Sequence, residues 1–114
     1  MPYHIKVDTG MHRLGFSSET WPQLHTTLQE VKQLDVKSVF SHLASADDVS
    51  QDQRTQKQFQ SFHRALEVLG HSNSAFKTHI LNTAGFIRFP EQAGDYVRIG
   101  IGLFGVRVAE FPSD

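Results

Sequence analysis

An α/β domain built on a parallel sheet is the fold class this sequence predicts, and three observations carry it. Short runs in which apolar residues alternate with period two take turns with longer runs in which they recur every three or four positions. Each short run opens onto a cluster of polar and glycine residues, as strands do where a sheet meets its ligands. The intervening stretches are long enough for the crossover helices that parallel pairing requires.

Taken in order, Tyr3, Ile5 and Val7 alternate with His4, Lys6 and Asp8, which predicts a first strand ending at Asp8. Asp8, Thr9 and Gly10 then turn the chain toward Arg13, with Leu14 and Phe16 expected to anchor the loop in apolar packing. Trp21, Leu24, Leu28 and Val31 share one helical face, with Ser18 or Thr20 as candidate cap. Val36 to Leu43 is rich in strand formers and stops at the small, acidic run Ala44 to Asp48. Ser50 and Gln53 form a capping-box signature ahead of a stripe of Phe59, Phe62, Leu66 and Leu69, which Gly70 ends. Phe76 to Leu81 is a third strand, and Asn82 to Phe89 a short helix or turn stopped by Pro90. Asp95 to Ile99 is a fourth strand, opening onto Gly100, Ile101 and Gly102. No low-complexity segment interrupts this rhythm.

Composition narrows the function classes. At 114 residues and 39% hydrophobic content the chain suits one compact domain. Eleven basic against twelve acidic residues leave a net charge of -1, so no overall field gathers nucleic acid or an anionic membrane. The absence of cysteine excludes disulfides and thiolate metal sites and fits a reducing cytoplasm. The first residues lack a secretory pattern, and no apolar run approaches the roughly 20 residues of a membrane span. The histidines at 4, 12, 25, 42, 63, 71 and 79 show no metal-ligand spacing, so no metal is expected. The polar clusters at Thr9 to Arg13, His42 to Asp48, Asn82-Thr83 and Arg98 to Gly102 all follow strands. A parallel sheet brings such points to one edge, where a ligand is expected.

Four segments, IKVDTGMHRLGF, SHLASADD, HILNTAGFIRFPE and YVRIGIGLFG, lie in this order between Ile5 and Gly105. Together they resemble the consecutive signatures of the alanine racemases, pyridoxal-phosphate enzymes built on a (β/α)8 barrel of TIM type. The resemblance implies that residues 1–114 are a fragment of the N-terminal barrel domain, a half-barrel of about four parallel strands with intervening helices. It places the first strand here at the barrel's fifth. The family's cofactor-binding lysine and its β-rich C-terminal domain, source of a catalytic tyrosine, would then lie elsewhere.

The resemblance also assigns roles. Arg98 would face the pyridine nitrogen of the cofactor, where a donor-only guanidinium favours an unprotonated ring. Arg13 would reach the cofactor's phenolic oxygen, and Lys6 is the position carbamylated in many members, holding that arginine by a charge-assisted pair. Asn82, Thr83, Gly100 and Ile101 would bind the phosphate, with Thr83 keeping the hydroxyl of the family's usual serine. His42 would sit beneath the cofactor and orient its neighbours, Arg98 included. Residue type alone leaves blander readings: a surface salt bridge for Arg98, an ordinary strand lysine at Lys6, a packed core histidine at His42 and a plain helix cap for Asn82-Thr83. Phe104 stands where tyrosine is common in the family.

Three functions compete at this stage. The first is membership in a cytoplasmic bacterial racemase interconverting L- and D-alanine for peptidoglycan, the isolated chain being inactive. The second is a non-catalytic half-barrel or cofactor-binding fragment, and the third a racemase for serine, lysine or another amino acid. SVFSHLASADD also resembles racemase domains fused behind a cell-wall ligase. Two open sheet edges further predict a homodimer or higher homo-oligomer.

Overall fold

The computed structural model describes residues 2–31, 33–71 and 75–100. Strands β1 (Pro2–Lys6), β2 (Asp35–Phe40) and β3 (Lys77–His79) form one parallel sheet in the order β1-β2-β3. Helices α1 (Trp21–Glu30) and α2 (Asp52–Val68) are the crossovers, and the short α3 (Thr83–Arg88) follows β3. Three-residue 3-10 turns stand at Ser18–Thr20, Val49–Gln51 and Pro90–Gln92. The α/β class and the parallel sheet are as the sequence predicts.

Register decides which side chains meet. Ile5, Val39 and Thr78 align across the three strands, as do Lys6, Phe40 and His79 one position on. Pleating sends the two rows to opposite faces. Ile5, Val7, Val39 and Ile80 are buried in one core with Trp21, Phe59, Phe62 and Leu66 of the helices. The other face is polar, with His4, Lys6, Ser38 and His79 standing among few apolar groups. On α2 the buried residues Thr55, Gln58, Phe59, Phe62, Ala65 and Leu66 recur at three to four positions, so the predicted stripe is present and two polar side chains share it. Gly70, at φ +74, ends that stripe in the left-handed region where glycine carries no Cβ penalty.

Several local expectations differ. The fourth strand, Asp95 to Ile99, is not a strand, leaving three described strands rather than about four. The Asp95 carboxylate accepts from the Thr78 amide at 2.8 Å, while the amides of Asp95 and Tyr96 both donate to the Thr78 carbonyl. A side chain thus takes the donor that a regular ladder would use, and the segment runs beside β3 without pairing to it residue by residue. The first strand stops at Lys6, because Asp8 turns its carboxylate onto the amides of Gly10 at 3.0 Å and His12 at 3.1 Å. Neither Ser18 nor Thr20 caps α1; the Thr20 hydroxyl donates back to the Ser17 carbonyl instead. Asp48, not a Ser50–Gln53 box, receives the Ser50 amide ahead of α2.

The loop from Gly10 to Phe16 is not anchored by its apolar residues, since Leu14 is 66% and Phe16 45% exposed. Backbone bonds hold it. Phe16 donates to the Lys6 carbonyl and accepts from the Asp8 amide, both at 2.9 Å, and its carbonyl also takes the Trp21 indole N–H. Gly15 permits this return at φ +114, and a Cβ there would stand 2.9 Å from the Lys6 carbonyl oxygen. Gly15→Ala is therefore expected to lower unfolding stability by about 1–3 kcal/mol, read from urea denaturation, whereas an unchanged midpoint would show that the loop closure carries no strain.

Candidate functional site

The ends of β1, β2 and β3 open onto one cleft of about 730 Å³. Lys6, His42, Asn82, Thr83, Arg98 and Gly100 line it, with Phe40, Met11 and Leu43 among its apolar walls. Of the residues singled out from sequence, Arg13 does not line the cleft; it is exposed on the loop after β1. Its charge is nevertheless among those felt at His42. Ile101 lies outside the described residues.

Arg98 is the best-connected group. Its guanidinium donates to the carbonyls of Ser41 and of Ile80, the latter at 3.2 Å, and approaches Nδ1 of His79 at 3.3 Å and Nδ1 of His42 at 3.5 Å. It also lies over the Phe40 ring, 5.3 Å from the centroid. Arginine can only donate, so both imidazole Nδ1 atoms must be acceptors and both rings carry their proton on Nε2. Burial is the main force lowering the pKa of His79 to about 4, with Arg98 and His4 adding to it. His42 is lowered by burial first and then by Arg98, Lys6 and Arg13. Burial lowers Arg98 as well. Electrostatics and hydrogen bonding therefore demand the same neutral histidines.

The phosphate candidates meet at the other side of the cleft. Asn82 caps α3, its Oδ1 accepting from the Gly85 amide at 2.9 Å. Thr83 Oγ1 accepts from the Gly100 amide at 3.0 Å, and a Cβ on Gly100 would meet nothing within 4 Å among the described residues. The Thr83 hydroxyl keeps its own proton to donate, beside backbone that a small anion can approach closely.

Sequence reasoning missed the groups that hold these loops together. Gln58, 1% exposed, accepts from the Ala44 amide at 2.9 Å and donates to the His42 carbonyl at 2.9 Å and to Thr9 Oγ1 at 3.3 Å. Thr9 and Ser41 share a 2.7 Å hydroxyl bond in the same buried spot. His79 carries no metal spacing, but its period-two place just ahead of the Asn82 turn was a usable signal.

His79 yields a direct test. The unfolded ring binds its proton near 6.5 and the folded ring only near 4, so below 6.5 the unfolded state holds more protons and stability falls as pH falls. Ring resonances of His79 should stay those of the neutral form until pH approaches 4; a midpoint near 6.5 would refute the buried, arginine-facing placement.

Comparison with known proteins shows the family and the fold. The family described as alanine racemase, N-terminal domain, matches residues 1–108. Alanine racemase 1 of Oceanobacillus iheyensis is 41% identical over 105 residues, 90% of this chain and 28% of that protein. The crystal structure of alanine racemase from Corynebacterium glutamicum superposes with a TM-score of 0.85 at 25% identity, covering 100% of this chain and 32% of that one. That of alanine racemase from Bartonella henselae with covalently bound pyridoxal phosphate gives 0.78 at 32% identity, over 92% of this chain and 29% of that one. The chain thus spans less than a third of each of these relatives. With the parallel sheet, the strand-end cleft and the arginine-centred cluster in place, this chain belongs to the alanine racemase family, within its N-terminal domain.

Proposed function

We propose that this chain supplies the ring-facing and phosphate-facing part of a pyridoxal phosphate site in a cytoplasmic bacterial racemase that interconverts L- and D-alanine for peptidoglycan precursors. The observation that carries the reading is the convergence of Arg98, two Nδ1-accepting histidines and the Asn82-Thr83-Gly100 group on one cleft. This donor set suits an aromatic anion: a fixed cation over an aromatic wall on one side, and hydroxyl and amide donors on the other. Pyridoxal phosphate, when bound, withdraws electrons from the α-carbon of an amino acid and makes its proton removable.

What the chain itself contributes is position and charge. Arg98, held by two carbonyls and two rings, points a donor at a ring nitrogen and keeps that nitrogen an acceptor, which tempers the ring as an electron sink. His42 braces Arg98 from below. Thr83, Gly100 and Asn82, with Ile101, take the phosphate. Arg13 is assigned to the phenolic oxygen, and Lys6 to steadying Arg13 from the end of β1.

Titration of pyridoxal phosphate into the purified chain, followed by absorbance and equilibrium dialysis, tests the reading. Saturable binding weakened about tenfold or more in Arg98→Ala and in Asn82→Ala is expected, the scale of a lost hydrogen bond to a charged group. Binding indifferent to both changes would leave only the reading of a non-catalytic half-barrel. The same preparation should run as a dimer or larger oligomer in light scattering at micromolar concentration, because the outer edge of β1 is met, among the described residues, only at its last residue, where the Lys6 carbonyl takes the Phe16 amide. A stable monomer would refute that assembly.

A further inference from the structure

A line of hydrogen bonds crosses the polar face of the sheet beneath Arg98. Arg98 meets Nδ1 of His79 at 3.3 Å, Nε2 of His79 lies 3.3 Å from Ser38 Oγ, and Ser38 Oγ lies 2.6 Å from Nδ1 of His4. The line therefore runs from the segment after β3, through β3 and β2, to the edge strand β1. Ser38 is 2% exposed. The His79 ring is stacked on Phe40 with centroids 4.8 Å apart and planes 4° from parallel, while Tyr96 meets it edge-on. Stacking fixes the plane of the ring but says nothing of which nitrogen carries the proton or which edge faces Arg98. The hydrogen bonds at its two ends decide that.

We propose that Ser38 and His4 are positioning residues for Arg98: the Ser38 hydroxyl accepts from Nε2–H of His79 and donates to Nδ1 of His4, fixing the one His79 tautomer whose Nδ1 lone pair can receive the guanidinium. The directions are consistent along the whole line. Arg98 has only donors, so His79 must accept at Nδ1 and donate at Nε2; Ser38 takes that proton and passes its own to His4. Without the hydroxyl, the Nε2–H of a partly buried ring loses its acceptor. The alternative tautomer would then set two donors, Nδ1–H and the guanidinium, against each other, and Arg98 would lose a contact that aims it into the cleft.

The inference deepens the assignment of Arg98 to the cofactor ring and rests on it for its functional meaning, but its test needs no cofactor. Long-range proton–nitrogen correlation spectra of the 15N-labelled chain at neutral pH read the tautomer directly. The wild type should show His79 with Nδ1 unprotonated and Nε2 protonated, and Arg98 with distinct, slowly exchanging Nη signals. Ser38→Ala should move the His79 nitrogens toward the average of the two tautomers and coalesce the Arg98 Nη signals. Ser38→Thr, which keeps the hydroxyl, should restore both, which separates the relay from mere packing at a buried serine. His4→Ala should produce a smaller shift in the same direction. A wild-type His79 protonated at Nδ1, or Ser38→Ala spectra that match the wild type, would overturn the proposal; unchanged His79 nitrogens in His4→Ala would overturn the part given to His4. Loss of cofactor binding with this tautomer pattern intact would instead count against the cofactor reading alone.

Discussion

A half-buried guanidinium at the open end of a three-stranded sheet sets the terms for everything around it. Arg98 gathers the carbonyls of Ser41 and Ile80, two imidazole nitrogens and the face of Phe40, and no carboxylate among the described residues pairs with it. Partial burial of a cation without a counter-charge is tolerable only where dipoles and lone pairs replace its water. The strand ends supply these. Ser41 follows β2 and Ile80 follows β3, so their carbonyls converge on Arg98 only because those strands are adjacent and parallel. The site and the fold share one requirement.

The same requirement explains why the histidines are neutral. A protonated imidazole at position 42 or 79 would turn an acceptor for Arg98 into a competing cation in a half-buried setting. Burial and the arginine's field act together to prevent it. On the far side of the sheet, Gln58 solves the equivalent problem for the backbone. Its buried amide joins the loop after β1 to the loop after β2 from a helix whose other buried residues, Thr55 apart, are apolar. A buried amide left unsatisfied costs about 1–3 kcal/mol, so both loops are tied to the seating of α2. The bidentate pair of Arg88 and Asp52, at 2.7 and 2.8 Å, ties the end of α3 to the start of the same helix.

How much of this could be read from sequence follows the range of the interactions. The three strands, the stripe on α2, the stop at Gly70 and the short helix before Pro90 are local patterns, and they were legible. The capping box was not, because Asp48, two residues earlier, takes both the amide and the hydroxyl of Ser50. The segment from Asp95 to Ile99 has a strand's composition, but one carboxylate reaching the Thr78 amide diverts it. Leu14 and Phe16 look like anchors, yet the loop closes through backbone groups that carry no residue signature. Gln58 is the clearest limit. It is one polar letter beside an apolar stripe, and its partners lie up to 49 positions away. Lys6, His42, Asn82, Thr83, Arg98 and Gly100 line one cleft; the family resemblance singled them out, where residue type alone left blander roles open.

Charge shows why whole-chain composition and local chemistry answer different questions. A net charge of -1 leaves no summed field to gather a polyanion, and that inference concerns the molecule as a whole. Within the cleft the balance is different: Lys6 and Arg98 face it, Arg13 contributes its field at His42, and Asp47 is the one carboxylate among the described lining residues. Positive charge gathered around the strand-end cleft acts over a few ångströms, because screening at physiological salt removes it beyond roughly 8 Å. Charge of that short reach is suited to a small anion within the cleft, as the proposed function requires, rather than to a long one outside it. The polar face of the sheet extends the same logic inward. His4, Ser38 and His79 carry no net charge when neutral, yet they orient the cation that does, so selectivity at the mouth depends on dipoles two strands away.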